Sequence, residues 1–178
     1  MITFDKLARH CSSRVKVGGE PHGELIGGKR WAFATDGHYA VVVRTRRSTL
    51  PATGSRLFAE SIEKTLLEKP RRVRVGRLVA SCRRIAQGQR YIPGDTVART
   101  RSIRIGESDF NPVILARSLS DLPRSLVVEL RTGGEREPMV ISGRDWMVVQ
   151  MPLNPLNGWL GVSFEGWERI EEGKRVRG

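Results

Sequence analysis

Two strand-like runs of mostly apolar residues, separated by turn residues, predict a β-hairpin in the first quarter of the chain. The segments 30–35 and 38–43 are strand-like, and Asp36-Gly37 separates them. Asp-Gly favours a tight hairpin turn because both central positions of such a turn have positive φ. We therefore expect two antiparallel strands here, joined by a two-residue loop.

A second group of apolar runs lies in the last third of the chain. The runs cover residues 126–130, 138–141 and 146–151. Gly133-Gly134 and Ser142-Gly143 separate them, and dipeptides that contain glycine mark turns between strands. This part of the sequence predicts three consecutive antiparallel strands.

Four segments have apolar residues at the spacing of an amphipathic helix. They cover about residues 4–12, 58–68, 75–86 and 112–123. Asn111 suits the N-cap of the last helix and Pro112 suits its first turn, while Pro70 ends the second helix. In the third segment, Val73 and Val75 also permit a strand start. Because helix and then strands occur near both ends, we predict an α+β fold of duplicated helix-plus-antiparallel-sheet units.

The length of 178 residues permits one domain with a single core. We place the domain at residues 1–153, with a basic insertion at about 70–104 and an aromatic, then charged, C-terminal extension at 154–178. Large apolar side chains in the extension are costly to leave in water. They are Trp159, Leu160, Phe164 and Trp167. We expect them to pack over the protein's own sheet or a groove, or to contact a subunit or partner.

Positive charge is concentrated in one segment. The chain has 31 Lys+Arg and 19 Asp+Glu, a net charge of +12, and Arg71 to Arg104 holds ten arginines and one acid, which gives +9 and leaves +3 elsewhere. A basic cluster suits a polyanion or is a solvated loop. Arginine binds phosphate through two N–H groups at once, so the arginine excess favours nucleic acid. Neutralising Arg71, Arg72, Arg74 and Arg77 is expected to weaken DNA binding.

Motifs of enzymes and cofactor sites are absent from the sequence. There is no phosphate-binding Gly-Lys-Ser/Thr loop, no dinucleotide fingerprint, no Cys-x-x-Cys pair and no His-Glu-x-x-His helix. Cys11 and Cys82 occupy apolar helical positions and suit small buried side chains. We predict no catalytic residue, metal or cofactor, no membrane span, and a reducing cytoplasmic location.

Two segments resemble the bacterial DNA polymerase sliding clamp family, the beta clamp. Phe33-Ala-Thr-Asp-Gly-His-Tyr-Ala40 is similar to the family's Ala-Thr-Asp-Gly-His-Arg-Leu-Ala hairpin, with Tyr39 and Ala40 where the family has Arg and Leu. Residues 110–153 include Pro138-Met-Val-Ile141 and Val148-Val-Gln-Met-Pro-Leu153, which resembles the end of a clamp chain. The match covers about half the chain.

The resemblance implies a processivity (DNA clamp) fold, in which helices line a channel for duplex DNA and subunits close into a ring. Phosphate contacts by helical basic residues position a protein without reading bases. The basic residues expected to contact the backbone are Lys6, Arg9, Arg83, Arg84 and Arg117, together with Arg71, Arg72, Arg74 and Arg77. A clamp chain of the family has three domains, so a chain of this size assembles in several copies or is a lone clamp-like domain.

The resemblance also implies a pocket that docks peptides of DNA polymerase or other replication proteins. The matching positions are Thr35, Gly37, His38, Tyr39, Ala40, Val149, Met151, Pro152 and Leu153. The leading hypothesis is a non-enzymatic clamp-like protein of DNA replication in a bacterial or phage-infected cell. It encircles double-stranded DNA as an oligomer or grips it through the segment from Arg71 to Arg104. Two alternatives stay open: a clamp-fold protein that modulates replication proteins without encircling DNA, and an unrelated basic α+β nucleic-acid binder.

Overall fold

The computed structural model describes residues 22–26, 28–35, 38–46, 56–87, 101–154 and 159–168. Three sequence predictions lie outside these residues: the helix at 4–12 with Lys6 and Arg9, the position of Gly37, and the burial of Cys11. The described residues form ten strands and three helices. In chain order they are β1 (His22–Ile26), β2 (Lys29–Thr35), β3 (Tyr39–Arg44), α1 (Arg56–Leu66), β4 (Arg71–Arg74), α2 (Val75–Ala86), β5 (Arg101–Ile105), β6 (Ser108–Phe110), α3 (Pro112–Ser118), β7 (Val127–Thr132), β8 (Met139–Ser142), β9 (Trp146–Gln150) and β10 (Leu160–Ser163).

The larger sheet has seven strands in the order β1-β2-β3-β9-β8-β7-β4, and every neighbouring pair is antiparallel. The predicted strands on either side of Asp36-Gly37 and the three predicted C-terminal strands are confirmed. The hairpin strand β3 pairs directly with β9, so that Ala40 lies opposite Val149. The two groups of strands predicted from opposite ends of the chain therefore form one continuous sheet.

Both faces of this sheet are covered. Successive residues of a strand point to opposite faces, and the buried side chains separate into two clusters in this way: Val41 and Val148 belong to the main cluster, while Val42 and Val149 belong to a second one. All five apolar residues from Tyr39 to Val43 are buried. Their unbroken apolar run is thus explained by burial on both sides of β3.

Helix α1 covers the face with the second cluster. It contacts β1, β7 and β8 and buries Ala59 and Ile62. The predicted helix at 58–68 is confirmed with a shift in its ends. It stops at Leu66 because the next two amide N–H groups donate to carbonyls three residues back, on Lys64 and Thr65, which ends the α-helical pattern.

Helices α2 and α3 cover the other face and pack against each other. Helix α2 has the predicted bounds, and its buried residues are Val75, Leu78, Val79, Cys82 and Ile85. The prediction that Cys82 is a small buried side chain is confirmed. The Asn111 side chain caps α3 by accepting hydrogen bonds from the amide nitrogens of Val113, at 3.0 Å, and Ile114, at 3.2 Å.

The segment treated in the sequence analysis as a basic insertion supplies β4, α2 and β5. Strand β4 is the edge of the large sheet beside β7. It ends at Arg74 and α2 begins at Val75, so Val73 belongs to a strand and Val75 to the helix. Val73 is fully buried, as are Leu78 and Ile103. The arginines that the structure describes in this segment are exposed, whereas its buried apolar residues belong to the main core.

A second, three-stranded sheet has the order β10-β5-β6. Strand β10 runs parallel to β5, and β5 pairs antiparallel with β6. The C-terminal aromatic residues pack on the protein itself: Phe164 is 6% exposed within the main cluster, and Trp167 packs against the same cluster. Phe164 and Trp167 therefore pack within the protein, which is one of the locations expected for these side chains.

The described residues form an α+β fold with mostly antiparallel strands, and this class was predicted from the sequence. One layer is α1, the middle layer is the seven-stranded sheet, and the third holds α2, α3 and the small sheet. None of the helices in the described ranges has the length and apolar character that a membrane span requires.

Candidate nucleic-acid interface

The outer surface of the α2–α3 pair is the strongest candidate for contact with a polyanion. The apolar residues of α2 face the core at helical spacing, which leaves Arg77, Arg83 and Arg84 exposed on the opposite side. Arg117 is exposed on α3. Neither helix contains an acidic residue. The surface of this helix pair, here called the α2–α3 face, therefore carries charge of only one sign on its helical residues.

Three of these arginines have no recorded ion pair with another described residue. They are Arg83, Arg84 and Arg117. All three lie in the last turn of their helix, where a positive charge also interacts favourably with the helix dipole, by about 0.3 to 1 kcal/mol. That contribution accounts for their position along the helices. Their side chains are exposed, so their guanidinium groups are accessible to a ligand.

The opposite layer of the molecule has a different charge pattern. Helix α1 exposes Glu60 and Glu63 beside Lys64. Lys64 is engaged, because its Nζ atom donates to Glu137 at 2.5 Å. Mixed charges of this kind attract a polyanion far less than an all-basic surface. Of the two helical layers, the α2–α3 face is therefore the one that suits a polyanion.

The arginines of β4 are exposed but differ in what they contact. The guanidinium of Arg71 lies 3.4 Å from the ring centre of Trp167, and partial burial lowers the pKa of Arg71. Arg74 Nε donates to Glu168 Oε1 at 3.1 Å, and Arg77 Nε lies 3.9 Å from the same oxygen. Arg72 has no recorded side-chain partner among the described residues. Three of the predicted DNA-binding side chains are therefore engaged within the protein.

The positions of the predicted partner pocket come from two distant segments that meet where β3 pairs with β9, but their side chains lie on both faces of the sheet. Tyr39 is buried in the main cluster, whereas Ala40 and Val149 are buried in the second cluster on the other face of the sheet. Thr35 is half-buried and its Oγ1 donates to the carbonyl of Tyr39 at 2.7 Å. His38 is exposed. Most of these residues thus hold the β2–β3–β9 junction together.

The remaining pocket positions follow β9 and are more accessible. Met151 is 52% exposed, and Pro152 and Leu153 are half-buried. Their role in partner binding stays a prediction.

Sequence reasoning did not find a polar cavity of about 310 Å³ beside Leu153. Its other lining residues are Arg104, Glu107, Asp109, Glu135, Asn154 and Trp159. Arg104 donates to Asp109 through Nε at 3.2 Å and through a terminal nitrogen at 2.9 Å, and hydrogen bonding to this carboxylate raises the pKa of Arg104. These lining residues come from β5, β6 and the turn between them, and from later segments of the chain. Because they are distant in sequence, no local sequence pattern predicts the cavity.

Fold and surface together define a class: an α+β protein with a two-sided antiparallel sheet and one basic helical layer. Comparison with known proteins adds no family to this description. The chain matches no protein-family model, no curated protein and no solved structure.

Proposed function

We propose that this protein is a non-enzymatic, clamp-like DNA-binding protein that contacts the phosphate backbone of duplex DNA through its α2–α3 face. The observation that supports this most is the one-sided charge. Arg83, Arg84 and Arg117 are exposed on paired helices that have no acidic residue. Exposed guanidinium groups on helices bind phosphate without reading base edges, which is the kind of contact that permits sliding.

The clamp-like part of the proposal has separate support. The two segments that resemble the sliding clamp family are the hairpin at residues 33–40 and the stretch 110–153. Strands β3 and β9, one from each segment, are neighbours in the sheet. The two matches therefore belong to one structural unit, with paired helices on one face of an antiparallel sheet. A role in DNA replication, as a processivity factor, is the function that this resemblance favours.

Neutralising the three exposed helical arginines is the direct test. In Arg83→Gln/Arg84→Gln/Arg117→Gln, three solvent-exposed contacts of roughly 0.5 to 1 kcal/mol each are removed, so the affinity for a short labelled DNA duplex is expected to fall about tenfold or more. Fluorescence anisotropy at low salt measures this affinity. Glutamine keeps helix propensity and length, so the fold is retained.

A control variant with the same loss of charge separates a local effect from a general one. Lys29→Gln/Arg30→Gln/Arg46→Gln removes three exposed positive charges, two from β2 and one just after the end of β3, at the opposite side of the large sheet from β4. Its duplex affinity is expected to change far less. Equal losses in both variants would contradict a specific α2–α3 interface.

A further inference from the structure

The C-terminal segment 159–168 connects the small sheet to the basic edge of the large sheet. It begins as β10 beside β5, and Phe164 anchors it in the main core. Trp167 then forms an antiparallel bridge with Val73 of β4, and the amide of Glu168 donates to the carbonyl of Arg72 at 2.9 Å. The end of the segment is therefore held directly on the arginine-rich edge strand.

The side chains of its last two residues engage three basic groups. Glu168 Oε1 lies 3.1 Å from Arg74 Nε and 3.9 Å from Arg77 Nε. The ring of Trp167 stacks under Arg71 at 3.4 Å and meets the ring of Phe164 edge-on, with 5.0 Å between the ring centres. A single carboxylate thus occupies the space between two guanidinium groups, and an indole covers a third.

Gly166 permits this close approach. A Cβ atom at this position would lie 2.7 Å from the ring of Phe164 and 3.5 Å from the Cβ of Arg77. Contacts under 3.0 Å between such atoms require a shift of the neighbouring groups. The segment therefore approaches α2 closely at this point, which places Glu168 beside the arginines.

The chemistry of Glu168 in this place resembles that of a backbone phosphate. Both groups are anionic acceptors that bind arginine through charge-assisted hydrogen bonds. The side chains of Arg74 and Arg77 are 48% and 58% exposed, while that of Glu168 is 20% exposed. Ion pairs with solvent-exposed partners contribute little to stability. A polyanion that offers several phosphates is able to replace this single carboxylate.

We propose that Glu168 is a built-in competitor of DNA phosphate, held by Trp167 over an anion-binding surface formed by Arg71, Arg74 and Arg77. This inference rests on the proposed function and adds a regulatory contact to it. Arg83, Arg84 and Arg117 make the first contact with the duplex, and Arg74 and Arg77 exchange the carboxylate for phosphate when Glu168 is displaced. The Glu168 carboxylate therefore lowers the affinity of this surface for weakly charged ligands.

The test compares Glu168→Gln with Glu165→Gln. Glu165 lies in the same segment, is exposed and has no recorded ion pair in the described residues, so both variants change the net charge equally. Glu168→Gln is expected to raise duplex affinity roughly two- to five-fold, the range set by one exposed ion pair. Glu165→Gln is expected to change it much less. An equal increase in both variants, or none in Glu168→Gln, would overturn the proposal.

A second measurement tests the competition itself. In the background Arg74→Gln/Arg77→Gln, the substitution Glu168→Gln is expected to lose its effect, because the groups for which phosphate and carboxylate compete are gone. Full retention of the effect in that background counts against the competitor.

The outcomes separate this inference from the proposed function. Duplex binding that falls in the Arg83/Arg84/Arg117 variant but does not respond to Glu168→Gln would refute only the competitor. Absence of duplex binding in the wild type and in Glu168→Gln would refute both.

Discussion

Single arginine side chains in this protein have different surroundings, although they look alike in the sequence. Arg83, Arg84 and Arg117 project from helices without a recorded ion pair in the described residues, whereas Arg74 is held by Glu168. The Arg74–Glu168 contact joins residues 94 positions apart. The density of arginines in the sequence therefore indicates where positive charge lies, but the fold decides which charges face an incoming ligand.

Cys82 provides a residue-scale prediction. Burial raises the pKa of its thiol to about 12, so the reactive thiolate is scarce near neutral pH. In Cys11→Ser, which leaves one thiol, a thiol reagent at about pH 8 is expected to label the unfolded protein in urea but not the folded protein. Mass spectrometry distinguishes the two. Rapid labelling of the folded variant would contradict the burial.

The same thiol gives a direction for the dependence of stability on pH. Its folded pKa lies above the ordinary value of 9.0, so above that pH the unfolded chain releases a proton that the folded chain retains. The contribution of this group therefore favours the folded state less and less as pH rises from about 9 to about 12.

At the scale of elements, the C-terminal segment is part of the core. Phe164→Ala removes a side chain that is 6% exposed, and such substitutions destabilise proteins by about 3 to 5 kcal/mol. Urea unfolding measures this loss. The control is Leu160→Ala on β10, where the side chain is 55% exposed and the expected change is within about 0.5 kcal/mol. Similar effects of both substitutions would show that Phe164 is not anchored as described.

The sequence predicted the elements that have strong periodicity or clear punctuation. Helix α2 has the expected bounds, and the hairpin strands flank Asp36-Gly37 as expected. The short strands β4 and β10 were not predicted as such, since four residues have too little pattern and both are defined by partners distant in sequence.

Part of the candidate interface was also predictable, because it lies on a helix with strong periodicity. Helical spacing alone places Arg83 and Arg84 opposite the apolar stripe of α2. It does not show that Trp167 and Glu168 return to cover the arginines of β4, because that contact depends on the path of the chain through the small sheet. The division of Tyr39 and Ala40 between two cores likewise follows from burial of the hairpin on both faces.

At the scale of the whole molecule, the resemblance to clamps whose subunits close into a ring predicts self-assembly. A ring around DNA requires several copies of a chain this short, so the mass in solution is expected to be that of a closed oligomer. Sedimentation or light scattering measures it directly. A monomer at all concentrations would contradict the ring and leave a surface-binding, clamp-like protein as the account of DNA contact.

The central claim is that the α2–α3 face binds the phosphate backbone, and the salt dependence of binding tests it most directly. The logarithm of duplex affinity falls linearly with the logarithm of salt concentration, by about 0.9 for each phosphate that is neutralised. Replacing Arg83, Arg84 and Arg117 by glutamine is expected to reduce this slope by about 2.7, while the Lys29/Arg30/Arg46 control keeps the wild-type slope. A slope unchanged by the first substitution would contradict the account.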